Sequence, residues 1–155
     1  MSAHPAYVAV CGPAEATDAE VARARAAGRL LAERGWVVVT GGLGGVMAAA
    51  ASGADHAGGM TVALLPSADR ADASAGHRIV IPTGLGEMRN ALLVRAVDAV
   101  LAIGGSWGTL SEIALAARTG VPVFVVGGWD LPGPEVVSCP TVEDAVRRIA
   151  ATVSA

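Results

Sequence analysis

Short apolar runs alternate along this chain with longer stretches rich in helix formers, and small-residue turns separate them. Tyr7 to Cys11 is the first such run, and Gly12-Pro13 breaks it. Thr17 and Glu20 then stand at capping-box spacing, and Ala19 to Arg34 is dominated by good helix formers before Gly35 closes the segment. The alternation continues with a strand over Trp36 to Thr40, a helix running to about Ala57, and a strand over Met60 to Leu65. A short strand at Ile79 to Ile81, a helix over Glu87 to Val97, a strand over Ala99 to Ile103, a helix over Thr109 to Thr119 and a last core strand over Val121 to Val126 follow. Gly127 to Pro140 reads as a surface loop containing Trp129, and Thr141 caps a final helix reaching toward Ala151.

Strands that are apolar throughout, each followed by a helix, predict a parallel sheet covered on both faces. The fold class expected is α/β, a single doubly wound Rossmann-like domain over residues 1–155, with no repeat or linker dividing it. Pro66 to Gly76 is polar and rich in Ala, Ser and Asp, and is expected to act as a mobile lid.

Two turns carry the chemistry. The strand ending at Thr40 runs into Gly41-Gly42-Leu43-Gly44-Gly45 before Val46-Met47, and the strand ending at Ile103 runs into Gly104-Gly105-Ser106-Trp107-Gly108-Thr109. A glycine-rich turn at a helix start offers unpaired backbone N–H groups and a positive dipole end, which suits a phosphate. Two such turns facing one crevice at the carboxyl ends of the strands would grip one anionic ligand from both sides. Turns needed merely to pass from strand to helix account for many such loops singly, and a pair is harder to explain that way.

Composition narrows the function classes. The sequence contains no lysine, so all 11 basic residues are arginine; a Schiff base to pyridoxal phosphate, a lysine nucleophile and a P-loop lysine are excluded. A net charge of -3 argues against a sequence-independent grip on nucleic acid. Hydrophobic residues make up 53% of the chain, yet no uninterrupted apolar run reaches the roughly 20 residues that cross a bilayer. Met1-Ser2-Ala3-His4-Pro5-Ala6 lacks a basic leader region, and Cys11 and Cys139 are too few for a disulfide framework, so a cytoplasmic protein is expected. His4, His56 and His77 are scattered and form no metal set.

With three motifs in order, the chain resembles the LOG-like superfamily of Rossmann-type proteins, once widely mislabelled lysine decarboxylases. It includes phosphoribohydrolases of cytokinin riboside monophosphates and molybdenum-cofactor carrier proteins. Thr40 to Met47 is similar to the family's first glycine motif, and Gly104 to Glu112 to its second, with Gly104 in place of Pro and Ser106 in place of Gly. Glu112 matches the glutamate the hydrolases use; their Arg-Lys pair stands here as Arg89-Asn90, a variant closer to the short carrier-type branch. The resemblance extends from Tyr7 to about Val126 and implies homodimers formed through neighbouring helices, a role to which the Ala-rich helix near Met47 to Ala54 is suited.

Under this resemblance Arg89 and Glu112 are the catalytic candidates. Arg89 supplies a permanently charged fork for a phosphate, and Glu112 activates water or stabilises an oxocarbenium-like sugar. Read from the residues alone, the same two side chains make a structural salt bridge. Gly41, Gly42, Gly44, Gly45, Met47, Asn90, Gly104, Gly105, Ser106, Gly108 and Thr109 are the candidate ligand-binding residues. Trp107 is a base- or pterin-stacking residue or a packing plug, Cys11 lines the crevice or fills the core, and Asp98 caps its strand locally. Two functional readings stay open: a binder or carrier of a phosphorylated, nucleotide-like molecule, molybdenum cofactor among them, or a nucleoside 5′-monophosphate phosphoribohydrolase. A DNA-processing module on a related fold is disfavoured by the acidic balance.

Overall fold

The computed structural model describes residues 4–154; Met1 to Ala3, on which the expected lack of a leader partly rests, and Ala155 lie outside them. The elements are β1 (Tyr7–Cys11), α1 (Asp18–Glu33), β2 (Val37–Thr40), α2 (Gly45–His56), β3 (Thr61–Leu65), β4 (Ile79–Pro82), α3 (Arg89–Arg95), β5 (Ala99–Ile103), α4 (Trp107–Thr119), β6 (Val123–Val126), β7 (Val136–Ser138) and α5 (Val142–Val153). The strands form one parallel sheet in the order β4-β3-β2-β1-β5-β6-β7. The chain leaves β1 toward one edge and returns at β5 to build the other, so the switch point, where a doubly wound sheet opens a crevice, lies between β1 and β5.

Side-chain alternation assigns each face. Val8 and Val10 join Leu31, Val46 and Ile149 beneath α1, α2 and α5, whereas Ala9 and Cys11 face Leu93, Val94 and Ile113 beneath α3 and α4. The helix starts are encoded locally. Thr17 accepts from the Glu20 amide while the Glu20 carboxylate accepts from the Thr17 amide, and Thr141 accepts from the Asp144 amide. Helices α1 and α2 approach closely because both use glycine at the crossing: a Cβ at Gly28 would fall on the Ala50 carbonyl, and one at Gly53 on the Arg25 carbonyl. Ala50 and Gly53 of α2 thus face α1 of the same chain.

Three local expectations are corrected. The surface loop over 127–140 contains β7, which exists as a strand because it pairs with β6 at the sheet edge. The helix expected over Glu87 to Val97 is a 3₁₀ turn at Gly86–Met88, opened by Gly86 at φ +57°, followed by the shorter α3. Asp98 does not act locally: its carboxylate accepts from the Tyr7 amide at 2.8 Å and its own amide donates to the Tyr7 carbonyl, registering β5 on β1. Residues 66–76, the segment expected to act as a lid, form a strap tied at several points. The Ser74 amide donates to Gly42 O (2.9 Å), the Gly86 amide to Pro66 O (2.9 Å), and the Thr61 hydroxyl to Gly76 O (2.7 Å). No helix among the described residues is long and apolar enough to cross a membrane.

Candidate ligand site

Every loop that leaves β1 through β5 at its carboxyl end contributes to one cleft of about 330 Å³. Ala14 follows β1, Leu43 and Met47 follow β2, and Pro66 follows β3; Gly86, Glu87, Arg89 and Asn90 follow β4, and Ser106, Gly108 and Glu112 follow β5. This is the crevice at the switch point, and it gathers six of the residues singled out from sequence: Met47, Arg89, Asn90, Ser106, Gly108 and Glu112. Gly41, Gly42, Gly44, Gly45, Gly104, Gly105 and Thr109 are not among the residues that line it.

At the floor lie Arg89 and Glu112, with side chains only 8% and 9% exposed and Nη1 to Oε1 at 3.7 Å. That separation makes an ion pair but not a hydrogen bond. The Arg89 guanidinium makes no hydrogen bond among the described residues, and its buried Nε has no partner. Burial raises the Glu112 carboxyl from 4.5 to about 7, against the opposing charge of Arg89 and a hydrogen bond with the Cys11 thiol. Burial likewise lowers Arg89, countered by Glu112, and pushes the Cys11 thiol well above its ordinary value, with the Glu112 charge adding to the rise. Cys11 is buried and lies against the acid rather than open to the crevice.

The first glycine turn explains why Arg89 fits. A Cβ on Gly41 would collide with its guanidinium and with Met47 Sδ, so glycine there lets the fork lie over the backbone. Gly44 caps α2 without a side chain, and the Val46 amide donates to Pro13 O at 3.0 Å, drawing the loop after β1 onto the turn. The second turn is more self-satisfied. Ser106 Oγ accepts from the Thr109 amide (3.2 Å) and lies 2.9 Å from the Thr109 hydroxyl, so that amide is committed to the helix cap rather than to a ligand. Asn90 Nδ2 makes one long contact, 3.5 Å, to Ser111 Oγ.

Several contributors escaped the sequence reading. Ala14, Leu43, Pro66, Gly86 and Glu87 line the cleft only because their loops converge; the signal available was their position just after apolar strands. His77 is the other. Its Nδ1 faces the Ser74 carbonyl at 3.0 Å and its Nε2 the Thr40 hydroxyl at 2.7 Å, while Thr40 Oγ1 accepts from the Gly42 amide at 2.9 Å. Because a carbonyl only accepts, the proton sits on Nδ1 and the Thr40 hydroxyl donates to Nε2. Burial holds the His77 pKa below 6.5. The strap is thereby fastened to the first glycine turn.

Known proteins place this architecture. The molybdenum cofactor binding protein of Rippkaea orientalis is 34% identical, with a TM-score of 0.94 over 98% of this chain and 99% of that one. The molybdenum cofactor carrier protein of Chlamydomonas reinhardtii is 29% identical, with a TM-score of 0.89 over 98% and 100% of the two chains. An uncharacterised protein of Archaeoglobus fulgidus is 42% identical over 114 residues, 73% of this chain and 74% of its own length. DNA processing protein A of Helicobacter pylori, 22% identical with a TM-score of 0.72 over 95% of this chain and 81% of that one, shares the fold. The family model that matches residues 5–150 describes the SLOG cluster4 family, and the chain belongs to it.

Proposed function

We propose that the cleft binds a phosphorylated, nucleotide-like small molecule and that the protein is a cytoplasmic cofactor binder or carrier, with molybdenum cofactor as its cargo. The observation that carries this reading is the match over nearly the whole chain to the Rippkaea orientalis molybdenum cofactor binding protein. The residues present suit such a cargo. Arg89 is buried, permanently charged and short of acceptors, and an anionic group would supply them. In this reading Arg89 holds the phosphate. The turn at Gly41, Gly42, Gly44 and Gly45 admits it close to backbone, Met47, Asn90, Ser106 and Gly108 contact the remainder, and Gly104, Gly105 and Thr109 hold the second turn in shape. Self-association as a homodimer or larger oligomer belongs to the same proposal and is read from the mass in solution by light scattering.

A second reading rests on Glu112, whose carboxyl near 7 is poised to give or take a proton at neutral pH. That is the chemistry of a nucleoside 5′-monophosphate phosphoribohydrolase, with Asn90 standing where the hydrolases carry lysine. Neutral Asn90 offers hydrogen bonds without charge, which favours binding over turnover.

Titration with molybdenum cofactor, alongside base release from a panel of nucleoside monophosphates by the native protein and by Glu112→Gln, separates the two. Cofactor binding without release is the expected result. Robust release that vanishes in Glu112→Gln would overturn the carrier reading. Arg89→Ala should weaken the phosphorylated ligand by about 1.5–3 kcal/mol, the value of a charge-assisted bond.

A further inference from the structure

Trp107 is 78% exposed, more than any other large apolar side chain among the described residues. It opens α4, and the residues on either side of it, Ser106 and Gly108, both line the cleft. Ser106 caps the helix through the Thr109 amide, which fixes the backbone that carries Trp107. Behind it stands Trp129, with ring centroids 5.2 Å apart and planes at 46°. Trp129 is anchored: its Nε1–H donates to Ser106 O at 3.1 Å, and its ring packs against the core beneath α3 and α4. One indole of the pair is thus fixed, and the other stands between two residues that line the cleft with most of its surface in water. A packing plug would be covered; this side chain is not.

We infer that Trp107 is a stacking platform for the planar heteroaromatic ring of the ligand, a purine or pterin, with Trp129 positioning it from behind. The inference rests on the proposed phosphate role of Arg89, since the ring is the other end of the same molecule. A rigid indole has few rotamers to lose, and a π face takes any fused heteroaromatic ring without reading its edge. Specificity for a ring over a bare sugar phosphate is the consequence.

The test compares AMP and phosphorylated 6-hydroxymethylpterin with ring-free ribose 5-phosphate, by calorimetry and by quenching of indole emission. The two ring ligands should quench the native protein. Trp107→Ala should weaken both by about tenfold, within the range seen when aromatic stacking partners are truncated, and leave ribose 5-phosphate unchanged. Trp107→Phe should recover most of the loss, and Trp129→Phe, which removes the bond to Ser106 O, should fall between. Unaltered ring affinity in Trp107→Ala, with ribose 5-phosphate still bound, would overturn the platform and leave the phosphate site standing. Ring ligands that depend on Trp107 while ribose 5-phosphate fails to bind would support the platform and overturn the phosphate site. A dimer that dissociates in Trp107→Ala without a change in ring affinity would assign this face to a second copy, and binding of none of the three would overturn both readings.

Discussion

Replacing Glu112 by glutamine removes a carboxyl that burial holds near neutrality, and the consequence is a stability difference that depends on pH. In the unfolded chain the group titrates near 4.5 and in the folded protein near 7. Between those values the folded state binds more protons than the unfolded one, so this group's contribution to stability is greatest below 4.5 and declines as pH rises through 7. At about 1.4 kcal/mol per pH unit, the interval corresponds to about 3 kcal/mol. His77 acts with the opposite sign: burial lowers its pKa, so the unfolded state binds more protons and stability falls as pH drops below 6.5. Both proteins carry His77, so subtracting one stability profile from the other removes it. Arg89 stays protonated throughout. Denaturant unfolding of the native protein and of Glu112→Gln, at intervals from pH 4.5 to 8, should give a difference that shifts in favour of the variant by about 3 kcal/mol across the range. A flat difference would show that Glu112 ionises as a surface carboxyl does and would refute the account of the buried pair. The same shift predicts proton uptake when an anion binds beside Arg89 above pH 7, because the new negative charge raises Glu112 further; calorimetry in buffers of differing ionisation enthalpy reads it directly.

Two further outcomes follow from packing and from the strap. Gly28→Ala should destabilise by about 1–3 kcal/mol despite alanine's better helix propensity, since the added methyl meets the Ala50 carbonyl rather than a movable side chain; thermal or denaturant unfolding checks it. Thr40→Val, which takes away the hydroxyl shared by His77 and the Gly42 amide, should speed hydrogen exchange at Gly42 and Ser74 while β1 and β5 remain protected.

Much of this molecule is legible residue by residue because the relevant interactions are short in sequence. The apolar runs at β1, β2, β5 and β6, the capping box at Thr17 and Glu20, the Thr141 cap and the glycine turns all act within a few positions of themselves. Arg89 and Glu112 both follow strands of the parallel sheet, whose carboxyl ends converge at one edge, and they meet there at 3.7 Å. Other features arise where distant segments touch. Val136 to Ser138 is a strand through its pairing with β6, not through its Pro- and Gly-rich surroundings. Asp98 clamps Tyr7 from 91 positions away, and His77 fastens the strap to a turn 37 positions upstream. The cleft lining from Ala14, Pro66 and Glu87, and the burial that shifts Glu112, likewise follow from how five loops close together. Local pattern carries backbone preference and amphipathic period, whereas desolvation and long-range hydrogen bonding are properties of the assembled sheet, and the chemistry of this site is made of the latter.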